Sequence, residues 1–248
     1  MKRISPLFFC LCVFTVLFCT ATARQYRAPG ESGKWTQIEI TPGNLPATVN
    51  PVKARVYTPK HSGHGTLRVL VALHDYNGSS FDWGSRTGIT AYADQHGIVL
   101  VCPEMDSTIY ETRYYPETVK KWNTLPGGKW IAEILLPHLR DTYGLALDRS
   151  RTGIAGIGTG ARGALLVAAS YPVLFSFAAG LSGYYETAIL TGHSLLKPVY
   201  GPHKEFSDRW KQDDNVIALA ENLKDTRVFL ACLLYTSPSP RDRTRSRM

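Results

Sequence analysis

The residues with the most chemical content lie in the run RTGIAGIGTGARGALL, residues 151–166. Its apolar start, its three alternating glycines and its alanine- and leucine-rich end read as a strand, a tight turn and a helix. A G-x-S-x-G elbow uses that pattern to perch a serine in a strained turn at the top of a sheet, where it attacks an acyl carbon. Here Gly156 and Gly160 hold the flanks and Gly158 holds the middle. Glycine tolerates the strained backbone but brings no hydroxyl, so the turn is expected to form without a nucleophile. The hydroxyl of Thr159 sits one residue off the elbow and is not expected to point at a substrate.

A second element follows an aliphatic run at 67–73: His74, Asp75, Tyr76, Asn77 and Gly78. A loop at this place offers a backbone N–H to a developing oxyanion, and Tyr76 is the candidate donor. The companion donor is the N–H of Thr159, at a helix N-terminus whose dipole favours negative charge. Gly156, Gly160, His74 and Asp75 are expected to support the elbow and this loop, with His74 fixing the loop by hydrogen bonds rather than acting as a base. His193 and His203 fall in a Pro/Gly-rich stretch and read as solvated loop histidines. Glu104, Asp106, Tyr110, Tyr114 and Tyr115 fall in a long loop at the carboxyl edge of the sheet, where open sheets bind ligands; pocket lining and plain packing both stay open for them. Trp83 reads as core.

The same glycines, Gly158 to Gly163, also fit G-x-G-x-x-G, the dinucleotide fingerprint. Two features oppose it. That motif belongs after the first strand of its unit, and at least four strands precede this one; the following strand ends in Leu181-Ser182-Gly183 rather than in an acid.

The elements that must position these groups follow from periodicity. Residues 34–40 and 52–57 alternate apolar and polar side chains, as half-buried antiparallel strands do. Residues 67–73 and 98–102 are continuous aliphatic runs, expected of strands covered on both faces. Helices are expected at 87–96, 129–143 (with Pro137 as a kink), 159–170 and 215–223, and strands at 152–155, 177–181 and 227–231. Strands alternating with helices predict an α/β architecture: a mostly parallel sheet with helices on both faces.

The 248-residue chain is 44% hydrophobic and 19% charged, an ordinary balance for one sizeable domain. Its formal charge of +8 is concentrated at the ends. Lys2 and Arg3 at one end, and Arg241, Arg243, Arg245 and Arg247 offset by Asp242 at the other, leave about +3 for the body, too little to indicate a nucleic-acid partner. Residues 1–23 read as a signal peptide: a basic start, an apolar run at 7–19, and an A-x-A site at Ala21-Thr22-Ala23. The alternative, a retained anchor, needs a longer run. The expectation is an exported chain from Arg24 with no membrane span after cleavage. Cys10, Cys12 and Cys19 leave with the signal, and Cys102 and Cys232 remain, with neither a disulfide framework nor metal-ligand spacing.

Taken in order, the HDYNGS loop followed by Trp83, VLVCPE, WIAEILLPHLRDTYG and RTGIAGIGTGARGALLVAASYPVLFSFAAGLSG resemble the Putative esterase family of the α/β-hydrolase superfamily. Esterase D (S-formylglutathione hydrolase), feruloyl esterases and mycolyltransferases belong to it. The resemblance covers residues 66–231 and places the family's serine on Gly158 and its oxyanion donors on Tyr76 and Thr159. It implies acyl transfer from a small-molecule or carbohydrate-linked ester, with neither metal nor organic cofactor. It also implies an acid after the strand at 227–231 and a histidine further on. From Cys232 the text changes: CLLYTSPSPRD resembles a translated sequencing-library adapter, and the rest is a basic, structureless tail. The reading is therefore a C-terminally truncated α/β-hydrolase domain at 24–231, a serine-type carboxylester hydrolase or acyltransferase by family but inactive in this copy. The alternative is a non-catalytic exported binding protein on the same fold.

Overall fold

The computed structural model describes residues 30–40, 52–60, 67–116, 126–145 and 148–232. The signal-peptide reading and the tail from residue 233 lie outside them. Among the described residues seven strands form one sheet: β1 (Lys34–Ile40), β2 (Val52–Thr58), β3 (Arg68–Leu73), β4 (Ile98–Pro103), β5 (Thr152–Ile157), β6 (Phe177–Leu181) and β7 (Arg227–Ala231). The spatial order is β1-β2-β4-β3-β5-β6-β7. β2 runs antiparallel to both β1 and β4, and every other pairing is parallel.

Both faces of the central strands are covered, which is why their sequences show continuous apolar runs. On one face Val69, Val71 and Leu73 of β3, Val99 and Val101 of β4, and Ile154 of β5 join a single large core. It is completed by Trp130, Ile131, Leu135 and Leu139, and by Leu165 and Leu166 of α5 (Thr159–Ser170). On the other face Ala72, Cys102, Ala155 and Ala179 pack with Trp83 of α1 (Asp82–Arg86), while Leu100 packs with Ala93 of α2 (Ile89–His96). Each fully buried leucine or isoleucine contributes about 1.5–3 kcal/mol. Trp83 is core as expected, and its indole Nε1–H donates to the Leu73 carbonyl at 3.1 Å. Burial pushes the Cys102 thiol up to about 12, so it should resist thiol reagents until the protein unfolds, as a labelling time course in denaturant would show.

Three elements differ from the sequence reading. The helix expected at 87–96 is α2, but a short helix absent from the sequence reading, α1, precedes it and ends where Thr87 takes extended backbone. The helix around Pro137 is not simply kinked. It runs as α3 (Gly127–Trp130), a π-helical stretch Ile131–Leu135 and α4 (Leu136–Tyr143), with the Leu136 N–H reaching back to the Ile131 carbonyl. The widened ladder falls just before the residue that lacks an N–H. The stretch at 215–223 is turns ending in a 3-10 segment, Ala220–Leu223. The Asn215 carboxamide accepts from the Ile217 N–H, and its N–H₂ binds Glu186 and the Lys211 carbonyl, an alternative to helical pairing that polar side chains often offer. Among the described residues no helix is long and apolar enough to cross a membrane.

The candidate site is set by topology. After β3 the chain steps to β4 on one side through α1 and α2, then returns to β5 on the other side of β3 through α3 and α4. The loops leaving β3 and β5 therefore part at the carboxyl edge, the switch point where open sheets leave a crevice. Register places Leu73, the last residue of β3, beside Gly156 of β5.

Candidate functional site

Gly158 sits between β5 and α5 with φ 57° and ψ −117°, a conformation that strains any residue with a side chain. Its N–H donates to the Leu181 carbonyl at 3.0 Å, which anchors the turn to the end of β6. The flanking glycines are required by contact. A Cβ on Gly156 would stand 2.0 Å from the Gly160 carbonyl oxygen, and one on Gly160 would stand 2.5 Å from the His74 carbonyl oxygen. The first turn of α5 thus lies directly on β5 and on the end of β3.

The His74–Gly78 loop is built as a fixed turn. The Gly78 N–H donates to the Asp75 carbonyl at 2.8 Å, and Asn77 takes φ 59°. His74 is buried and accepts the Met105 N–H on Nε2 at 3.0 Å. Since a backbone amide only donates, the ring proton belongs on Nδ1, which donates to the Asp75 carbonyl at 2.6 Å. Both ring nitrogens are committed, and His74 fixes the loop as its sequence position suggested.

The side chain of Asp75 does more than support the loop. Its Oδ1 accepts the Tyr76 N–H at 2.7 Å and the Thr159 N–H at 2.8 Å, with the Thr159 hydroxyl at 3.3 Å. Two amides 83 residues apart in the chain converge on one carboxylate oxygen. That carboxylate also covers Gly158: a Cβ there would lie 2.1 Å from Oδ1 and 2.4 Å from Oδ2. The structure brings Tyr76, Thr159, Gly158 and Asp75 together, and no local pattern of residues marks Asp75 as the group that fills this spot.

The other candidates resolve into structure. Glu104 Oε2 accepts from the Ser80 N–H at 2.9 Å and from its hydroxyl at 2.6 Å, tying α1's approach to the sheet edge. Tyr110 is buried and its hydroxyl donates to the His74 carbonyl at 2.9 Å. Tyr115 is buried in an apolar cluster with Ile109, Leu196, Tyr200 and Trp210, against which Tyr76 and Tyr184 pack. Tyr114 is exposed, and Asp106 occupies a left-handed turn position. His193 and His203 are not freely solvated. Both are half-buried: His193 stacks 5.1 Å from Tyr184, and His203 packs edge-on at 6.1 Å from Trp210. Aromatic neighbours from the insertion between β6 and β7 shelter them.

Beneath the elbow lies a polar cluster that sequence reasoning missed. Arg162 of α5 is fully buried. It donates to the Ile109 carbonyl at 2.8 Å, to the Tyr200 hydroxyl at 2.5 Å and to the Asp214 carbonyl at 2.5 Å. The Asp214 carboxylate accepts from the Thr112 hydroxyl at 2.5 Å. Its only sequence signal was a charge inside an otherwise apolar helix. Burial pushes the nearby Glu111 carboxyl from 4.5 up to about 8, with Asp214 adding to the rise and Arg162 opposing it. The folded state then binds a proton that the unfolded chain has released. This contribution to stability is full below about pH 4.5, declines as pH rises towards 8, and is flat above, with a slope of at most about 1.4 kcal/mol per pH unit. Glu111→Gln should flatten that decline in urea unfolding curves taken across the window; an unchanged slope would mean that Glu111 ionises freely.

Comparison with known proteins agrees with this architecture. Feruloyl esterase B of Neurospora crassa is 27% identical over 146 residues, 54% of this chain and 45% of that enzyme, so the match spans less than half the relative's length. FphF, a fluorophosphonate-binding serine hydrolase of Staphylococcus aureus, superposes with a TM-score of 0.63 at 17% identity, over 87% of this chain and 85% of that one. MPT51 (FbpC1) of Mycobacterium tuberculosis superposes with a TM-score of 0.61 at 17% identity, over 80% and 73%. These likenesses show an α/β-hydrolase fold. A profile described as "Putative esterase" matches residues 46–232, three quarters of the sequence. The chain belongs to the Putative esterase family of α/β-hydrolases.

Proposed function

We propose that the turn at Gly158 belongs to an acyl-transfer site of the serine-esterase kind, with Tyr76 and Thr159 as oxyanion donors and glycine in the nucleophile's place. One observation carries the reading: two amides from separate loops point at a single negatively charged oxygen beside the elbow. That is how a carbonyl oxygen gaining charge would be held, with the N-terminal dipole of α5 adding to the field. Within the family a serine at this position attacks an ester carbon, a base takes its proton, and the two amides stabilise the tetrahedral intermediate. In this chain Gly158 supplies no oxygen for attack, and His74 has no free lone pair to act as base. The chain as it stands is a site for holding an ester or its acid rather than cleaving it. The likeness to a feruloyl esterase supports a small-molecule or carbohydrate-linked ester as the ligand class, and the reading of residues 1–23 supports export.

The test restores the missing oxygen. A Gly158→Ser, Asp75→Gly double variant is mixed with p-nitrophenyl acetate, with 2,6-lutidine in solution, a hindered base that takes the serine proton without itself attacking the ester. The acetyl group moves from the phenolate to the new hydroxyl and p-nitrophenolate leaves. The expected result is an acetyl adduct on residue 158 and one equivalent of p-nitrophenolate above the background release in Asp75→Gly, which should carry no adduct there. A double variant that folds and acquires no adduct at residue 158 removes the esterase-site reading.

A further inference from the structure

We propose that Asp75 is a resident anion that closes the site, and that this closure and the glycine at 158 are one coupled feature. The inference rests on the reading of Tyr76 and Thr159 as oxyanion donors. A carboxylate oxygen is anionic and accepts several N–H donors, as a developing oxyanion does, and Oδ1 takes both N–H groups within 0.1 Å of the same distance. An external acid or ester carbonyl meets both donors already satisfied by an anion of its own kind, so it must displace Asp75 before it binds.

The Asp75 backbone has no freedom to assist, because its carbonyl accepts from both the Gly78 N–H and the His74 ring. Opening therefore means rotating the side chain alone. Asp75 lies exposed to solvent, so a swung-out carboxylate is rehydrated rather than stranded. The closed position depends on residue 158. The carboxylate occupies the space that any Cβ at 158 would fill, with Cγ at 2.2 Å from it. A residue with a side chain there, serine included, forces Asp75 off the amides. A serine at 158 and Asp75 on the two amides exclude each other sterically, whereas glycine and the closed carboxylate fit together.

Acetate is the probe, because its oxygen presents the same group as Asp75. Backbone amide resonances of Tyr76 and Thr159 are followed by NMR as acetate is added to wild type, Asp75→Gly and Gly158→Ala. The two variants act from opposite sides: the first removes the plug, and the second displaces it sterically while leaving residue 75 an aspartate. Both should show saturable shifts at those two amides, with an affinity at least about tenfold above wild type, the factor by which a mostly closed population weakens apparent binding. Wild type binding acetate within threefold of Asp75→Gly overturns the proposal, as does a folded Asp75→Gly whose two amides ignore acetate. Gly158→Ala serves if Asp75→Gly fails to fold. The esterase-site reading fails separately, on the absence of an adduct at residue 158 in the double variant.

Discussion

Replacing Arg162 by methionine should lower the unfolding free energy by about 3–5 kcal/mol, as breaking a buried charged cluster from one side does. The guanidinium joins three segments distant in sequence: α5, the loop at Ile109, and the insertion carrying Tyr200 and Asp214. Methionine fills comparable volume, so the loss is electrostatic and hydrogen-bonding rather than a cavity. It leaves two carbonyl oxygens and the Asp214 carboxylate buried without their cation. Adding Asp214→Asn to Arg162→Met should recover part of the loss, since the uncompensated charge is gone; a double-mutant cycle in urea measures the coupling. A loss below about 1 kcal/mol would show that the cluster does not clamp the insertion to the elbow helix. Lysine at 162 should not substitute, because a single ammonium cannot present the planar fork that reaches all three acceptors.

Gly156→Ala is the second large effect. The new methyl would meet the Gly160 carbonyl oxygen at 2.0 Å and its carbon at 2.1 Å. Both are backbone atoms, so no rotamer change relieves the contact, and β5 and α5 must part by about an ångström. Overpacking of that kind costs on the order of 3 kcal/mol, which in a chain of this size lowers Tm by roughly 6–12 °C. Gly88→Ala and Gly192→Ala are controls, because a Cβ at either meets nothing within 4 Å. Thermal unfolding of the three variants checks the claim. A Gly156→Ala protein as stable as the controls would mean that strand and helix are not in contact at the elbow. Because the same contact sets where the Thr159 N–H points, Gly156→Ala should also weaken acetate binding in the Asp75→Gly background.

Much of this molecule was legible in the order of its residues. Continuous aliphatic runs at β3 and β4 showed strands covered twice, because no other environment suits Val69 to Leu73 without a polar face. Gly156, Gly158 and Gly160 announced a sharp strand-to-helix turn, because a steric requirement for the absence of Cβ leaves a mark on composition itself. His74 as a loop anchor followed from its place at a strand end. These are local demands, each met by the residue that carries it.

What the tertiary structure alone decided are encounters between residues far apart. Whether Glu104 and Tyr110 line a pocket or brace the loop depended on Ser80 and on the His74 carbonyl arriving beside them. The buried Arg162 has its partners 38 to 53 residues away, and no local pattern selects them. Asp75 is the sharpest case. A charged residue after a strand reads equally as a solvated loop residue or a turn-former. Only the pairing of β3 with β5, which sets Leu73 beside Gly156, delivers the Thr159 amide to its carboxylate and turns an ordinary loop aspartate into the occupant of the site.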